Sequence, residues 1–170
     1  MNQPESTPRA TGPQMPESRM YGIASFECVI ALGSGMMPVS MHLSRCVPST
    51  LSDEDCRRLC ISACRLSCMA IDVVRRRLDA RLLRRSVDEP SISKLETLSL
   101  LLSEHWVQSV EVKREMARLP VVARNLDAVL VDPRRIEVAV HMNIGRTQYW
   151  ANTVMRLRNQ RWVCTMLDLG

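Results

Sequence analysis

Apolar and polar positions repeat along this chain with two different periods, and the change of period falls at Pro120. Ser52-Asp53-Glu54-Asp55 reads as a helix start, with a hydroxyl N-cap, an acidic residue three places on and negative charge in the first turn. At about 100° per residue, Cys56, Leu59, Cys60, Ala63, Leu66, Ala70, Val73, Val74 and Leu78 share one half of the helix. Arg57, Arg58, Arg65, Asp72 and Arg76 fall on the other half. The pattern predicts a helix to about Arg85, ended by Val87-Asp88-Glu89-Pro90, because the residue before a proline is pushed out of the α region. A second helix opens at Ser91 or Ser93, with Glu96 at capping-box spacing from Ser93. Its apolar stripe is Leu95, Leu98, Leu102, Trp106, Val110 and Met116, and the weak helix formers Val107, Val110 and Val112 place a break near Val110.

Beyond Pro120 the period is two. Asn125–Val131, Arg135–Ile144, Thr147–Leu157 and Arg161–Leu169 read as strands, separated by the turn pairs Asp132-Pro133, Gly145-Arg146 and Asn159-Gln160. Ile136, Val138, Val140 and Met142 alternate with Glu137, Ala139, His141 and Asn143, the signature of a strand with one wet face. Short links imply a meander, and helices must cover its apolar face. The expected class is α+β: two long N-terminal helices packed on a four-stranded antiparallel meander.

Before Ser52 no such order is read. Residues 1–20 hold four of the nine prolines together with Ser, Thr, Gln and Asn, too polar a stretch to offset its ordering entropy. Residues 21–43 are more apolar, but Glu27, Gly33, Gly35 and Pro38 interrupt them, against the roughly 20 clean apolar residues that a spanning helix needs. The expected organisation is therefore a disordered or loosely docked tail over 1–50 and one domain over 51–170, with no membrane span.

Of the 170 residues only six are aromatic (three Trp, two Tyr, one Phe), and they are scattered, unlike a stacking platform for single-stranded nucleic acid. Seven cysteines, an odd number with four inside one helix, do not resemble a secreted disulfide framework. Reduced thiols in the cytoplasm fit better. Cys56, Cys60, Cys64 and Cys68 recur every four residues, so each step climbs about 6 Å and turns about 40°. All four cannot hold one ion; adjacent pairs could serve a soft metal with ligands from elsewhere, His105 being the nearby candidate. The plainer reading makes each a small hydrophobe, with no metal bound.

The chain ends Arg161-Trp162-Val163-Cys164-Thr165-Met166-Leu167-Asp168-Leu169-Gly170, preceded by Met155-Arg156-Leu157. This ending resembles the R-W-x-C-T-x-L-x-L-G signature of a family of small actinobacterial proteins, and the helical half with its arginine tract is similar in order and spacing. The resemblance covers about residues 52–170. It implies a Pro-rich variable N-terminus, no assigned biochemical activity and frequent encoding near the gene for SecA, the motor ATPase of protein export. The layout is also similar to the cystatin-like or NTF2-like half-cone, helices on a curved sheet.

Arg75, Arg76, Arg77, Arg81, Arg84 and Arg85 place six arginines in eleven residues, with Asp79 alone opposing them, in a chain of net charge +5. Such a cluster suits a solvated helix end or a docking patch for an acidic partner. Catalytic chemistry is not indicated: His141 and Asp127 come without a nucleophile or second carboxylate, and no phosphate-loop, dinucleotide, zinc-protease or nucleophile-elbow motif occurs. The expectation is a non-enzymatic interaction domain without cofactor. A protein partner docks on the arginines, the export machinery being first in line through the family resemblance. Homodimerisation through the sheet, a nucleic-acid or ribosome-associated role and thiol metal handling are the alternatives.

Overall fold

A computed structural model describes residues 22–32, 35–105 and 117–170. Strands β1 (Gly22–Leu32) and β2 (Gly35–Arg45) pair antiparallel through eleven consecutive residues. Helices α1 (Asp53–Val74) and α2 (Glu89–His105) follow, and then β3 (Val121–Asp132), β4 (Arg135–Ile144), β5 (Thr147–Arg158) and β6 (Arg161–Leu169). The six strands among the described residues form one sheet in chain order. Every junction is antiparallel except β2–β3, where Ser40–Arg45 runs parallel to Asn125–Leu130. Both helices lie in the connection that this parallel pairing requires.

The expected half-cone of two N-terminal helices on a four-stranded meander is therefore corrected. The sheet is mixed and six-stranded, two of its strands precede the helices, and the helices sit between strands in the chain. Val87 adds a single parallel bridge outside β6 at Cys164, a one-residue seventh member. Residues 22–45, read as loose, contribute Cys28, Ile30, Val39, Met41 and Leu43 to the core. Pro38 is harmless because the β2–β3 ladder begins two residues later, at Ser40. The tail over 1–20 and the expected break near Val110, with Trp106 and Met116, lie outside the described residues.

One face of the sheet is covered. From it rise Ile30, Met41, Leu43, Leu126, Leu130, Ile136, Met142, Ile144 and Leu167, all buried, to meet α1 and α2. Helix α1 answers with a narrow-bodied face: Cys56, Cys60, Ala63, Cys64, Cys68 and Ala70 are all buried there. Small side chains let the helix lie close to a sheet crowded with branched and long ones. The opposite face carries Ser40, His42 and Ser44 from β2 and Asn125, Asp127, Glu137, His141 and Asn143 from β3 and β4.

The start of α1 is as expected: the Ser52 hydroxyl accepts from the Asp55 N–H at 3.1 Å. Its end is not. Arg77 N–H donates to Asp72 O at 2.8 Å and Arg76 N–H to Val73 O at 2.9 Å, the paired bonds of a Schellman closure. Arg76 takes the left-handed conformation there, φ 60°. The helix stops eleven residues before the expected end, and the sequence does not announce it because a non-glycine residue occupies the position where glycine usually marks the stop. Arg76→Gly should raise the unfolding free energy by about 1 kcal/mol, a gain of about 2–4 °C in melting temperature; a drop on calorimetry would contradict it. Pro90, read as a terminator, instead sits in the first turn of α2, where its missing N–H costs nothing. Among the described residues no helix is long and apolar enough to cross a membrane.

Candidate functional site at the arginine-bearing connector

The chain from Arg75 to Asp88 links α1 to α2 and carries all six arginines of the tract. After the Schellman closure, Asp79 caps a short 3-10 turn, Ala80–Leu83, by accepting from Arg81 N–H at 2.8 Å. Ala80 and Leu83 pin this turn to the core. The connector then clips the sheet edge: Cys164 N–H donates to Ser86 O at 2.8 Å and Asp88 N–H to Cys164 O at 2.9 Å. Arg161 completes the clip, its guanidinium donating to Arg85 O at 2.7 Å.

The six arginines divide by environment. Arg75 is turned inward, its side chain 1% exposed, donating to Leu119 O at 2.8 Å and to the Asp72 carboxylate. Arg77 donates to the same Leu119 carbonyl at 2.8 Å. These two fasten the end of α1 to the segment that enters β3. Arg76, Arg81, Arg84 and Arg85 are exposed. Arg84 lies 3.6 Å from Glu89, while Arg76, Arg81 and Arg85 form no ion pair among the described residues. Elsewhere Arg45, Arg57, Arg58 and Arg135 are each bridged to a carboxylate. Exposed leucines accompany the connector's cations: Leu82 at 60% and, across on α2, Leu100 at 58%.

The other candidates fall out differently. Cys56, Cys60, Cys64 and Cys68 face the sheet rather than a shared ligand site, and among the described residues no cysteine forms a disulfide. Among the described residues no cluster of three or more metal-ligating side chains occurs. His105 is the last residue of α2, its side chain outside those described. Burial pushes the Cys60 thiol up to about 12 and the Cys164 thiol to about 11. Cys68 is raised as well, first by its hydrogen bond with Cys64 and then by burial. At pH 8 a thiol-reactive dye should therefore label Cys46, the one exposed cysteine, rapidly, and the six buried ones only on unfolding. Two or more fast thiols in the folded protein would refute this. The raised thiols give stability that is complete below their ordinary value near 9. It is lost as the pH climbs toward the folded values of about 12 and about 11, at about 1.4 kcal/mol per pH unit for each of these two.

On the open sheet face, His141 Nδ1 lies 3.1 Å from Asn125 Oδ1, and its ring stacks on Trp150 at 4.7 Å. Asp127 stands in register with His42 on one side and Ala139 on the other. The stack and the Asn125 contact half-bury His141, which the alternation alone would have put in solvent. Between the helices and the ends of β4 and β5 lies an apolar cavity of about 170 Å³, walled by Ile71, Val74, Leu98, Leu102, Ile144 and Tyr149.

No family model matches the chain, and no curated protein and no solved structure matches it either.

Proposed function

We propose that the chain is a non-enzymatic protein-interaction module of the cytoplasm, whose partner docks on the connector through Arg76, Arg81, Arg84 and Arg85. The observation that carries this reading is the split within the arginine tract. Arg75 and Arg77 are consumed in holding the fold, while Arg76, Arg81, Arg84 and Arg85 are exposed on a connector fixed at both ends, with Leu82 and, on α2, Leu100 exposed nearby. A solvated helix end needs only the charge. An anchored display of cations with apolar neighbours is the composition of a recognition surface, apolar at its centre and polar at its rim. The C-terminal resemblance makes a component of the SecA-dependent export machinery the first partner to test.

The test is affinity capture from a nuclease-treated lysate of the source organism, with the full chain as bait. It runs beside an Arg76/Arg81/Arg84/Arg85→Ala variant that leaves Arg75 and Arg77 in place. Enrichment of an export component that the variant loses supports the reading. Capture that is equal on both baits overturns it. So does recovery of ribosomal material that depends on RNA and falls steeply with salt, which would transfer the arginines to nucleic-acid binding.

A further inference from the structure

The apolar cavity beside the ends of β4 and β5 is lined by none of the connector's exposed arginines, so it stands apart from the docking surface proposed above. Its walls are mostly aliphatic: Ile71 and Val74 from α1, Leu98 and Leu102 from α2, Ile144 from β4 and Leu169 from β6. We propose that this cavity is a binding site for a small uncharged hydrophobic molecule of the size of one aromatic ring.

Size sets the first limit. The free space of about 170 Å³ is close to the roughly 150 Å³ of a cavity lined by leucine, isoleucine and phenylalanine that takes up benzene. Wall chemistry sets the second, because the polar groups there are already engaged. Arg75, the one charged lining residue, donates to Leu119 O and to the Asp72 carboxylate, and its unpartnered Nε is sealed from solvent. The backbone of Gly170 is bonded both ways to Trp150, each bond 2.9 Å. Tyr149 hydrogen-bonds with Thr147, and burial holds its phenol above its ordinary value, so it stays neutral at physiological pH. A water molecule needs about two to four polar partners to be held in place, which these walls do not spare, so an apolar molecule displaces it favourably. A carboxylate would surrender its hydration for a guanidinium whose charge Asp72 already meets. Tyr149 also brings a ring to the wall, and aromatic pairs gain beyond the area they bury. The cavity is partly open, so the molecule enters without unfolding the domain.

The probes are benzene and toluene, titrated into the full-length chain carrying labelled Ile, Leu and Val methyl groups and followed by NMR. Benzoate, octanoate and naphthalene are the comparators. The proposal expects saturable shifts confined to the methyls of the cavity wall, with a dissociation constant of about 1 mM or tighter for toluene. Benzoate and octanoate should bind at least about tenfold more weakly. Leu98→Trp, which fills the space from a half-buried position, should weaken toluene about tenfold, and a thermal melt checks that it remains folded. Leu102→Ala enlarges the space and should favour naphthalene over benzene by about tenfold relative to the unaltered chain, a change of preference that loss of folding cannot mimic. The Arg76/Arg81/Arg84/Arg85→Ala variant should bind toluene as the unaltered chain does, whatever its effect on partner capture. Several results overturn the site: no saturable shifts up to the solubility limit, shifts spread through the chain, or benzoate or octanoate binding as tightly as toluene. So do full affinity in a folded Leu98→Trp, an unchanged ring-size preference in Leu102→Ala, and loss of toluene binding in the arginine variant.

Discussion

Arg75→Ala should lower the unfolding free energy by about 3 kcal/mol, whereas Arg81→Ala, six residues on, should change it by less than about 0.5 kcal/mol. The two residues are alike in sequence and opposite in setting. The guanidinium of Arg75 is sealed from solvent and donates to Leu119 O and to the Asp72 carboxylate, so its removal breaks two charge-assisted hydrogen bonds and leaves a gap beneath the end of α1. Asp72 is one-third exposed and regains water, which keeps the loss below that of a wholly buried pair. Arg75→Lys should recover part of the difference, since an ammonium keeps the charge but cannot fork to both acceptors. Urea denaturation of the three variants reads this directly. Equal effects at positions 75 and 81 would show that the inward arginine does no structural work.

A chain begun at Leu51 should fail to fold cooperatively. The domain boundary suggested by composition falls there, but the structure places Ile30, Val39, Met41 and Leu43 in the same core as α1 and the later strands. Burial of each such side chain stabilises by about 1.5–3 kcal/mol, so four of them amount to about 6–12 kcal/mol, comparable with the whole stability of a domain. Removing β1 and β2 also exposes the β3 edge, which in the full sheet pairs with Ser40–Arg45. The milder Leu43→Ala should cost about 2–5 kcal/mol. Scanning calorimetry of the shortened chain decides the matter: a single sharp transition at the temperature of the full chain would remove β1 and β2 from the core.

Much of the second half of the fold is legible in the sequence because its local signals agree. Strict alternation in Arg135–Ile144 coincides with turn chemistry at both ends. Gly145 takes φ 57° and Asn159 and Gln160 take 47° and 62°, as two-residue hairpins require. The first half conceals its strands. In β1 an exposed Val29 lies between the buried Cys28 and Ile30, so period two is lost in an unbroken apolar run. In β2 the alternation of Val39, Met41 and Leu43 with Ser40, His42 and Ser44 is present, but Pro38 and the nearby glycines argue locally for a loop. The parallel β2–β3 pairing leaves no short-range trace at all.

The candidate site was half visible. Charge density marks the tract, yet what separates Arg75 from Arg76 is a backbone carbonyl at Leu119, forty-four residues away, and a carbonyl has no sequence signature. Leu100 was legible as an apolar residue but not as an exposed one. Its place beside the connector depends on where α1 ends, and that helix end has no glycine to declare it.

The parallel junction also sets an order of events during synthesis. Ser40 must wait for Asn125, so eighty-five further residues have to be made before β2 can meet its second neighbour. At the usual pace of about 5–20 residues per second, the β1–β2 hairpin is exposed on the ribosome for about 4–17 seconds. During that interval Met41 and Leu43 have only the helices to cover them, and the inner edge of β2 is open to any other strand. The protein is thus most vulnerable to mispairing before its last four strands exist, and its yield should depend on translation speed and on whatever shelters the nascent hairpin.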